Sequence, residues 1–299
     1  MPLILPIENR DEKRETRRSG SLFVVSTPIG HLEDITYRAV RILGEADLVA
    51  AEDTRHSRKL LAHYHISTPL ISFHDHNKEK RAPELIARLE RGDSVALITD
   101  AGTPSISDPG YYLVRSAIDA SLPVVPIPGP SAFVTALSVS GLPTDRFFFV
   151  GFVPKKTARR RRLLENLRHQ EATLVFYESP HRLAALVDEL AEALGDREAV
   201  MARELTKVYE EIVRGRLTHI LQEIAARELL RGECTLLVAG YEEDASIDRE
   251  TIRRYLTSLG GRKAPVSVSD RVKAVAKQYR IPRKMVYEEA LRLEKEGKI

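Results

Sequence analysis

The sequence predicts an α/β protein with two α/β domains and a small C-terminal helical domain. From Ser21 onward, short β-branched runs alternate with amphipathic stretches, a pattern typical of a mostly parallel sheet covered by helices. The alternation restarts after a Gly/Pro/Asp cluster within Ser140–Arg146 and stops after Asp244, where only helical patterns follow. We therefore expect a flexible tail at residues 1–20, followed by domains at residues 21–140, 141–244 and 245–299.

The strand candidates are short apolar runs bounded by polar or turn-forming residues. In the first domain they are Leu22–Ser26, Asp47–Ala51, Pro69–Phe73, Ser94–Thr99 and Pro123–Ile127. In the second they are Phe147–Val153, Thr173–Glu178, Glu198–Glu204 and Cys234–Gly240. Between them, stretches such as Glu84–Gly92 and Arg182–Leu194 have apolar residues three and four apart, which predicts helices.

The C-terminal segment predicts two short helices, SVSDRVKAVAKQY and PRKMVYEEALRLEKEG, joined around Arg280–Pro282. Ser269 is a candidate N-cap of the first helix, and Pro282 suits the start of the second. Two helices with a tight turn and excess Arg and Lys resemble a helix-turn-helix module. A purely structural helical cap is the alternative.

Composition excludes several classes of protein. The chain has 299 residues and a net charge of +3, and its one cysteine, Cys234, excludes an intramolecular disulfide and a cysteine-based zinc site. No segment approaches the roughly 20 apolar residues that a membrane span needs. We expect a soluble cytoplasmic protein without a membrane partner.

Two basic clusters predict a polyanionic partner. From Arg262 to the end there are eleven Lys or Arg against five Asp or Glu, and KKTARRRR places Lys155, Lys156 and Arg159–Arg162 within eight residues. A solvated helix face is the alternative for either cluster alone.

Four loops follow strand candidates of the first domain and are rich in Gly, Pro or small polar residues. They are Ser26–Gly30, Glu52–Ser57, Asp100–Gly110 and Pro128–Ala132. Because ligands bind outside the carboxyl ends of strands in α/β sheets, these loops predict a small-molecule site at one sheet edge. Singly, each loop could be only a turn, and Glu52, Asp53 and Arg55 could form an ordinary surface ion pair. Dinucleotide and P-loop fingerprints are absent, and we expect no metal site.

Read in order, the loops resemble those of the tetrapyrrole-methylase-like superfamily. The motifs are STPIGHLEDIT, AEDTR, TDAGTPSISDPG, PIPGPSA, GFVP, FYESPHR, ARELTKVYEE and RGECTLLVAG, which together span about residues 21–240. AEDTR, DAGTPSISDPG and FYESPHR resemble its ribosomal branch, which methylates a cytidine 2′-hydroxyl in small-subunit (16S) ribosomal RNA. The resemblance implies two α/β domains of the tetrapyrrole-methylase type, a homodimer, and S-adenosylmethionine in the cleft between the domains.

The resemblance also assigns residues to the cofactor, whereas side-chain chemistry and the basic cluster predict residues that contact the RNA. The expected cofactor contacts are Pro28, Asp100, Ala101, Gly102, Thr103, Ile106, Ser131, Ala132, Tyr177, Glu178 and Leu205. We expect Arg55, His181 and Arg182 to bind substrate phosphate or to orient the substrate, because guanidinium groups suit phosphate geometry. The basic cluster adds Lys155, Lys156, Arg159 and Arg160 as expected substrate-binding residues.

A ribose hydroxyl is a poor nucleophile, so a carboxylate acting as general base would assist methyl transfer. The candidates are Asp53 and Asp100, with Glu178 behind them, and a purely structural role for these carboxylates is the alternative. The predicted function is 2′-O-methylation of a cytidine in the decoding region of 16S ribosomal RNA. The competing hypotheses are a methylase of a tetrapyrrole or protein side chain, and a non-catalytic RNA-binding ribosome-assembly factor.

Overall fold

The computed structural model describes residues 20–242, 249–258, 267–279, 281 and 283–298. The chain divides into two compact units, Met1–Ala239 and Gly240–Ile299. Residues 1–19 of the expected tail, and the expected helix junction at Arg280 and Pro282, lie outside the described residues. Among the described residues, no helix is both long and apolar enough to cross a membrane.

The first sheet has five parallel strands in the order β3-β2-β4-β1-β5. The strands are β1 (Leu22–Val25), β2 (Leu48–Ala51), β3 (Leu70–Ser72), β4 (Val95–Ile98) and β5 (Val124–Ile127). The helices of this part are α1 (Tyr37–Glu45), α2 (Thr54–His63), α3 (Lys78–Glu90), α4 (Gly110–Asp119) and α5 (Ala132–Ser140). Each strand lies within the run that predicted it, so the parallel α/β architecture is confirmed.

Helices cover both faces of this sheet, which explains its continuous apolar strands. In β4, Ala96 and Ile98 pack with α1 and α2, whereas Val95 and Leu97 pack with α3 and α4. Successive side chains of a strand point to opposite faces, so one run of four apolar residues serves two cores.

The second sheet also has five strands, in the order β6-β7-β10-β8-β9, but only β6 and β7 are parallel. The strands are β6 (Phe147–Phe152), β7 (Thr173–Glu178), β8 (Glu198–Arg203), β9 (Glu211–Arg216) and β10 (Cys234–Val238), with helices α6 (Thr157–Asn166), α7 (Pro180–Leu194) and α8 (Leu217–Ala225). We did not predict β9. It is an outer strand with only two apolar residues, and its side chains are half-buried or exposed.

The two sheets belong to one compact unit and share an apolar core. Ala136 and Leu137 of α5 pack against Val175, Val200 and Leu237 on one face of the second sheet. The segment at 140–146 links α5 to β6. The division into domains 21–140 and 141–244 stays a prediction.

The second unit contains three helices among its described residues, α9 (Arg249–Ser258), α10 (Val268–Tyr279) and α11 (Arg283–Lys295), around a common core. We predicted only α10 and α11. The N-cap assignment to Ser269 is wrong, because the N–H of Asp270 donates to Oγ of Ser267 at 3.1 Å and Ser269 lies within the helix.

Candidate active site

The four predicted loops leave four adjacent strands of the first sheet at the same edge, and hydrogen bonds join them. Thr27 and Gly102 exchange backbone hydrogen bonds of 2.9 and 3.1 Å, which connect the first loop to the third. The N–H of Asp53 in the second loop donates to Oδ1 of Asp100 at 3.0 Å. The hydroxyl of Thr103 donates to a carbonyl of the fourth loop at 3.1 Å. The loops therefore form one connected wall.

Gly102 allows this close approach. Its φ is +87°, a left-handed conformation that favours glycine. A Cβ at this position would lie 3.4 Å from Cγ2 of Ile29 and 3.7 Å from a carbonyl of the fourth loop. The backbone of the third loop thus lies directly on its neighbours.

A cavity of about 460 Å³ lies between this wall and the end of the second sheet. We call it the first cavity. Its size suits a small organic ligand. Of the residues expected at the cofactor, the structure brings to the first cavity Asp100, Ala101, Gly102, Thr103, Ile106, Ser131, Ala132, Tyr177 and Glu178. Pro28 and Leu205 do not line it. Pro28 borders a neighbouring cavity, and Leu205 is 7% exposed in the core between the sheets.

The lining of the first cavity is acidic. It includes five carboxylates and no Lys, Arg or His among the described residues; the carboxylates are Glu52, Asp100, Asp108, Glu178 and Glu233. No group of His, Cys, Asp and Glu side chains in the described part of the chain is arranged to hold a metal ion. This cavity is electrostatically suited to an organic ligand that carries positive charge.

Asp53 is not at this cavity. Its carboxylate caps α2 by accepting the N–H of Arg55 at 2.8 Å, and it also binds the guanidinium of Arg55 at 2.9 and 3.2 Å. These hydrogen bonds lower the pKa of Asp53 to about 2. Asp53 is therefore a weak base, and the assignment of Asp53 as the general base is not supported by its surroundings.

Glu178 is buried at the end of β7, with 1% of its side chain exposed. Its Oε1 accepts hydrogen bonds from the N–H and the hydroxyl of Ser179. Its Oε2 lies 3.0 Å from Nη2 of Arg182 as an ion pair but accepts no hydrogen bond from the described residues. Arg182 also donates to the carbonyl of Val153 at 3.2 Å, so it links α7 to the end of β6.

Three further carboxylates at the first cavity were not in the predicted set, namely Glu52, Asp108 and Glu233, and the first two are partly buried loop acids. Burial raises the pKa of Glu52, whose Oε2 accepts a 2.9 Å hydrogen bond from the hydroxyl of Thr99. Burial also raises the pKa of Asp108, although its Oδ1 accepts the N–H groups of Ser105 and Gly110. Both lie in loops that the sequence singled out, but the sequence does not show which side chains of a loop are buried.

Residues Gly232, Glu233, Cys234 and Thr235 also line the first cavity and were missed as site residues. They lie at the start of β10, whereas ligand sites were sought after strands. Because β10 is antiparallel to β7 and β8, Cys234 pairs with Glu178 and Arg203 at the far ends of those strands. The motif RGECTLLVAG contains these four residues, but they lie where β10 begins, so a search for loops that follow strands did not find them.

A second cavity of about 430 Å³ lies on the other side of the third loop. The two cavities share Ile29, Thr99, Asp100, Ala101 and Glu233. The lining of the second cavity adds Pro28, the α2 residues His56, Ser57 and Lys59, and Lys207 from the loop after β8.

The residues predicted to bind RNA are dispersed. Lys155, Lys156, Arg159 and His181 are exposed around α6 and the start of α7, and the side chain of Arg55 is 88% exposed. Arg160 differs, because its guanidinium forms two 2.6 Å hydrogen bonds with the carboxylate of Glu189 on α7. Only 14% of the Arg160 side chain is exposed, so its position suits holding α6 against α7 rather than binding phosphate.

Comparison with known proteins identifies the class. Residues 21–221 match the model of the family described as Tetrapyrrole (Corrin/Porphyrin) Methylases, and the chain belongs to this family. The fold agrees with that of uroporphyrin-III C-methyltransferase from Thermus thermophilus in a crystal structure complexed with S-adenyl homocysteine. That structure has a TM-score of 0.52 and 21% identity, over 73% of this chain and 97% of that chain.

Within the family, the chain is similar to proteins named ribosomal RNA small subunit methyltransferase I. The protein of that name from Halalkalibacterium halodurans is 44% identical over 289 residues, which is 94% of this chain and 96% of its relative. The one from Pseudomonas aeruginosa is 49% identical over 240 residues, 79% of this chain and 85% of its relative. The similarity to the first relative includes the helical end of the chain.

Proposed function

We propose that this protein transfers a methyl group from S-adenosylmethionine to the 2′-hydroxyl of a cytidine in the decoding region of 16S ribosomal RNA. The observation that carries the proposal is the acidic first cavity, which is lined by the loops that resemble the family's motifs. Similarity to relatives named for the small-subunit ribosomal RNA supports the choice of substrate. With the resemblance as the basis, we also propose that the protein is a cytoplasmic homodimer.

The residues present at the first cavity fit this cofactor. Its ammonium group and ribose hydroxyls need acceptors, and among the described residues Oδ2 of Asp108 is buried without a hydrogen-bond partner, while Oε2 of Glu178 has only its ion pair with Arg182. Backbone groups of residues 100–103 would hold the polar methionine end, and the rings of Phe152 and Tyr177 would border the adenosine. When bound, the cofactor supplies a methyl group at a positively charged sulfur.

Among the three predicted bases, Asp100 has the best position to accept the proton of the ribose hydroxyl. It lines both cavities, whereas Glu178 lines only the first and Asp53 lines neither. Its Oδ1 is held by the N–H of Asp53 at 3.0 Å, which fixes the carboxylate at the shared wall. A base must lie within hydrogen-bond reach of the proton that it accepts. A side chain on the wall shared by the two cavities can reach a ligand in either of them, so Asp100 meets this requirement.

The function is tested by incubating the protein with tritium-labelled cofactor and small subunits from a strain that lacks the corresponding gene. Label on a cytidine ribose is the expected result. Label on a base, or on a tetrapyrrole or protein side chain, refutes the proposed acceptor. If calorimetry detects no cofactor binding at high micromolar concentration, the non-catalytic assembly factor is the better account.

The role of Asp100 is tested by Asp100→Asn, with Asp53→Asn as the matched control. Asparagine at position 100 still accepts the N–H of Asp53 but has lost the basic oxygen. We expect kcat to fall by about 10²–10⁴-fold while the affinity for the cofactor changes little. Asp53→Asn retains a capping residue at α2 and should leave kcat nearly unchanged. Equal rates for the two variants would contradict the assignment.

A further inference from the structure

We propose that the second cavity binds the acceptor nucleotide of the RNA, so that its ribose lies against the wall shared with the first cavity. This assignment rests on the proposed function, since it names the substrate pocket of that reaction. It concerns His56, Ser57 and Lys59 of α2 and Lys207 of the loop between β8 and β9, none of which was among the expected site residues.

The position of the second cavity carries the first argument. Direct methyl transfer requires the acceptor oxygen about 3–3.5 Å from the methyl carbon, in line with the departing sulfur. The acceptor pocket must therefore adjoin the cofactor pocket. The second cavity does so through five shared residues, and Asp100 and Ala101 are the centre of that shared set in the third loop.

Charge carries the second argument. Among the described residues, the first cavity is lined by five carboxylates and no Lys, Arg or His, whereas the second is lined by only two carboxylates, Asp100 and Glu233, together with Lys59, Lys207 and the imidazole of His56. Lys207 is paired with Glu204 and Glu233, but Lys59 has no carboxylate within 4.0 Å among the described residues. His56 and Lys59 are three residues apart on α2 and thus lie on one face of the helix. An unpaired lysine beside an imidazole N–H suits a phosphate that flanks a nucleotide.

Ser57 supplies a third observation. This residue borders the second cavity, is only 2% exposed, and its hydroxyl has no hydrogen-bond partner among the described residues. Buried hydroxyl groups in folded proteins are nearly always paired. A base or ribose with donors and acceptors is the class of ligand that would pair with it.

Loops from both sheets line the second cavity, and direct contacts join them. A Cβ on Gly30 would lie 2.5 Å from Cγ of Lys207, so the first loop and the β8–β9 loop touch. The N–H of His31 also donates to Oγ1 of Thr206 at 3.0 Å. These contacts hold Lys207 at the cavity.

The assignment is tested by blocking the second cavity chemically. The variants His56→Cys and Arg58→Cys are each modified with a bulky methanethiosulfonate. Arg58 is the matched control, because it is an exposed cation on α2 that lines neither cavity. The native Cys234 does not interfere, since it is 4% exposed and burial raises the pKa of its thiol to about 11.

We expect the modified His56→Cys protein to lose about 100-fold in methylation of small subunits, to retain its cofactor affinity, and to regain activity on reduction. The modified Arg58→Cys protein should retain both properties. Equal methylation by the two modified proteins overturns the assignment. A loss of cofactor affinity in the modified His56→Cys protein also overturns it, because the cavity would then belong to the cofactor.

A second pair of variants tests the charge argument without blocking the cavity. Lys59→Gln should lower the slope of RNA affinity against salt by about one phosphate contact, whereas Arg58→Gln should not. Equal slopes overturn the role of Lys59. If the unmodified protein binds no cofactor and labels no RNA, the proposed function fails; if it does both and the paired variants do not differ, only this assignment fails.

Discussion

Tyr177 offers the sharpest test of how the two sheets form one site. Its hydroxyl, on β7 of the second sheet, accepts the N–H of Phe133 at 3.1 Å, in the first turn of α5 beside the first sheet. The N-cap residue of α5, Ser131, makes no side-chain capping hydrogen bond. Tyr177 therefore caps a helix from the opposite side of the cavity, and Tyr177→Phe removes only that oxygen.

The expected loss of stability in Tyr177→Phe depends on whether the N–H of Phe133 finds another hydrogen-bond partner. A typical intramolecular hydrogen bond contributes about 0.5–1.5 kcal/mol, and a buried N–H left without a partner costs about 1–3 kcal/mol. Because Phe133 is half-buried, water can replace part of the interaction, and we expect about 1 kcal/mol. For a unit of this size that corresponds to a fall of about 2–4 °C in the unfolding midpoint.

The assay is the thermal midpoint with and without the cofactor, together with the cofactor affinity by calorimetry. The ring remains in Tyr177→Phe, so the affinity should change by less than about tenfold, the equivalent of 1.4 kcal/mol. Tyr209→Phe is the control, because that side chain is 73% exposed and should give no shift. An unchanged midpoint for Tyr177→Phe would refute the capping role. A large loss of affinity at an unchanged midpoint would instead place the hydroxyl on the ligand.

Three further outcomes follow from the charged groups. Glu189→Gln should destabilise the first unit by about 1–3 kcal/mol in urea unfolding, because it leaves the nearly buried Arg160 without its carboxylate; no change would mean that the pair is dispensable. The pKa of Glu211 is lowered from 4.5 to about 2 by Arg227 and Arg203, so its contribution to stability is complete above pH 4.5 and is lost as the pH falls toward 2. The unfolding midpoint of Glu211→Gln should therefore fall below that of the wild type at pH 7, and the difference should shrink steadily as the pH falls from 4.5 toward 2; a constant difference would contradict this. The exposed arginines of α6 are Arg159, Arg161 and Arg162. Neutralising them should flatten the salt dependence of RNA binding measured by filter retention, whereas an unchanged slope would mean that these side chains only face solvent.

The sequence predicts the first sheet well because helices cover both of its faces, so its strands are largely apolar; β2 and β4 are buried at every position, and the outer strands β3 and β5 are partly buried. Such strands appear as short continuous apolar runs, whatever their neighbours are. The second sheet was predicted less completely. Its outer strand β9 has the sequence EIVRGR, with charged residues on a partly solvated surface, and pairing with β8 rather than apolarity holds it in place. Helix α9 was missed for a similar reason, since only Ile252 and Leu256 of it are buried.

The loops of the site follow from the sequence, but the state of each side chain does not. Asp53 and Asp100 are both loop acids after strands, yet one is bound by a guanidinium and the other lies on the wall between two cavities. That difference depends on which helix each loop enters and on partners up to 47 residues away. Likewise, the position of residues 232–235 depends on the antiparallel direction of β10.

The place of β10 in the second sheet also bears on how the chain folds. Among the described strands it is the last in sequence, yet it lies between β7 and β8, so each of these has only its outer neighbour, β6 or β9, until residues 234–238 have been synthesised. Strand pairing over such sequence distances is slow because the intervening chain must first be ordered. A nascent chain that ends before Cys234 would expose the unpaired edges of both strands, which is a hazard for aggregation during synthesis. Cofactor binding would then become possible only late, when the last strand closes the sheet.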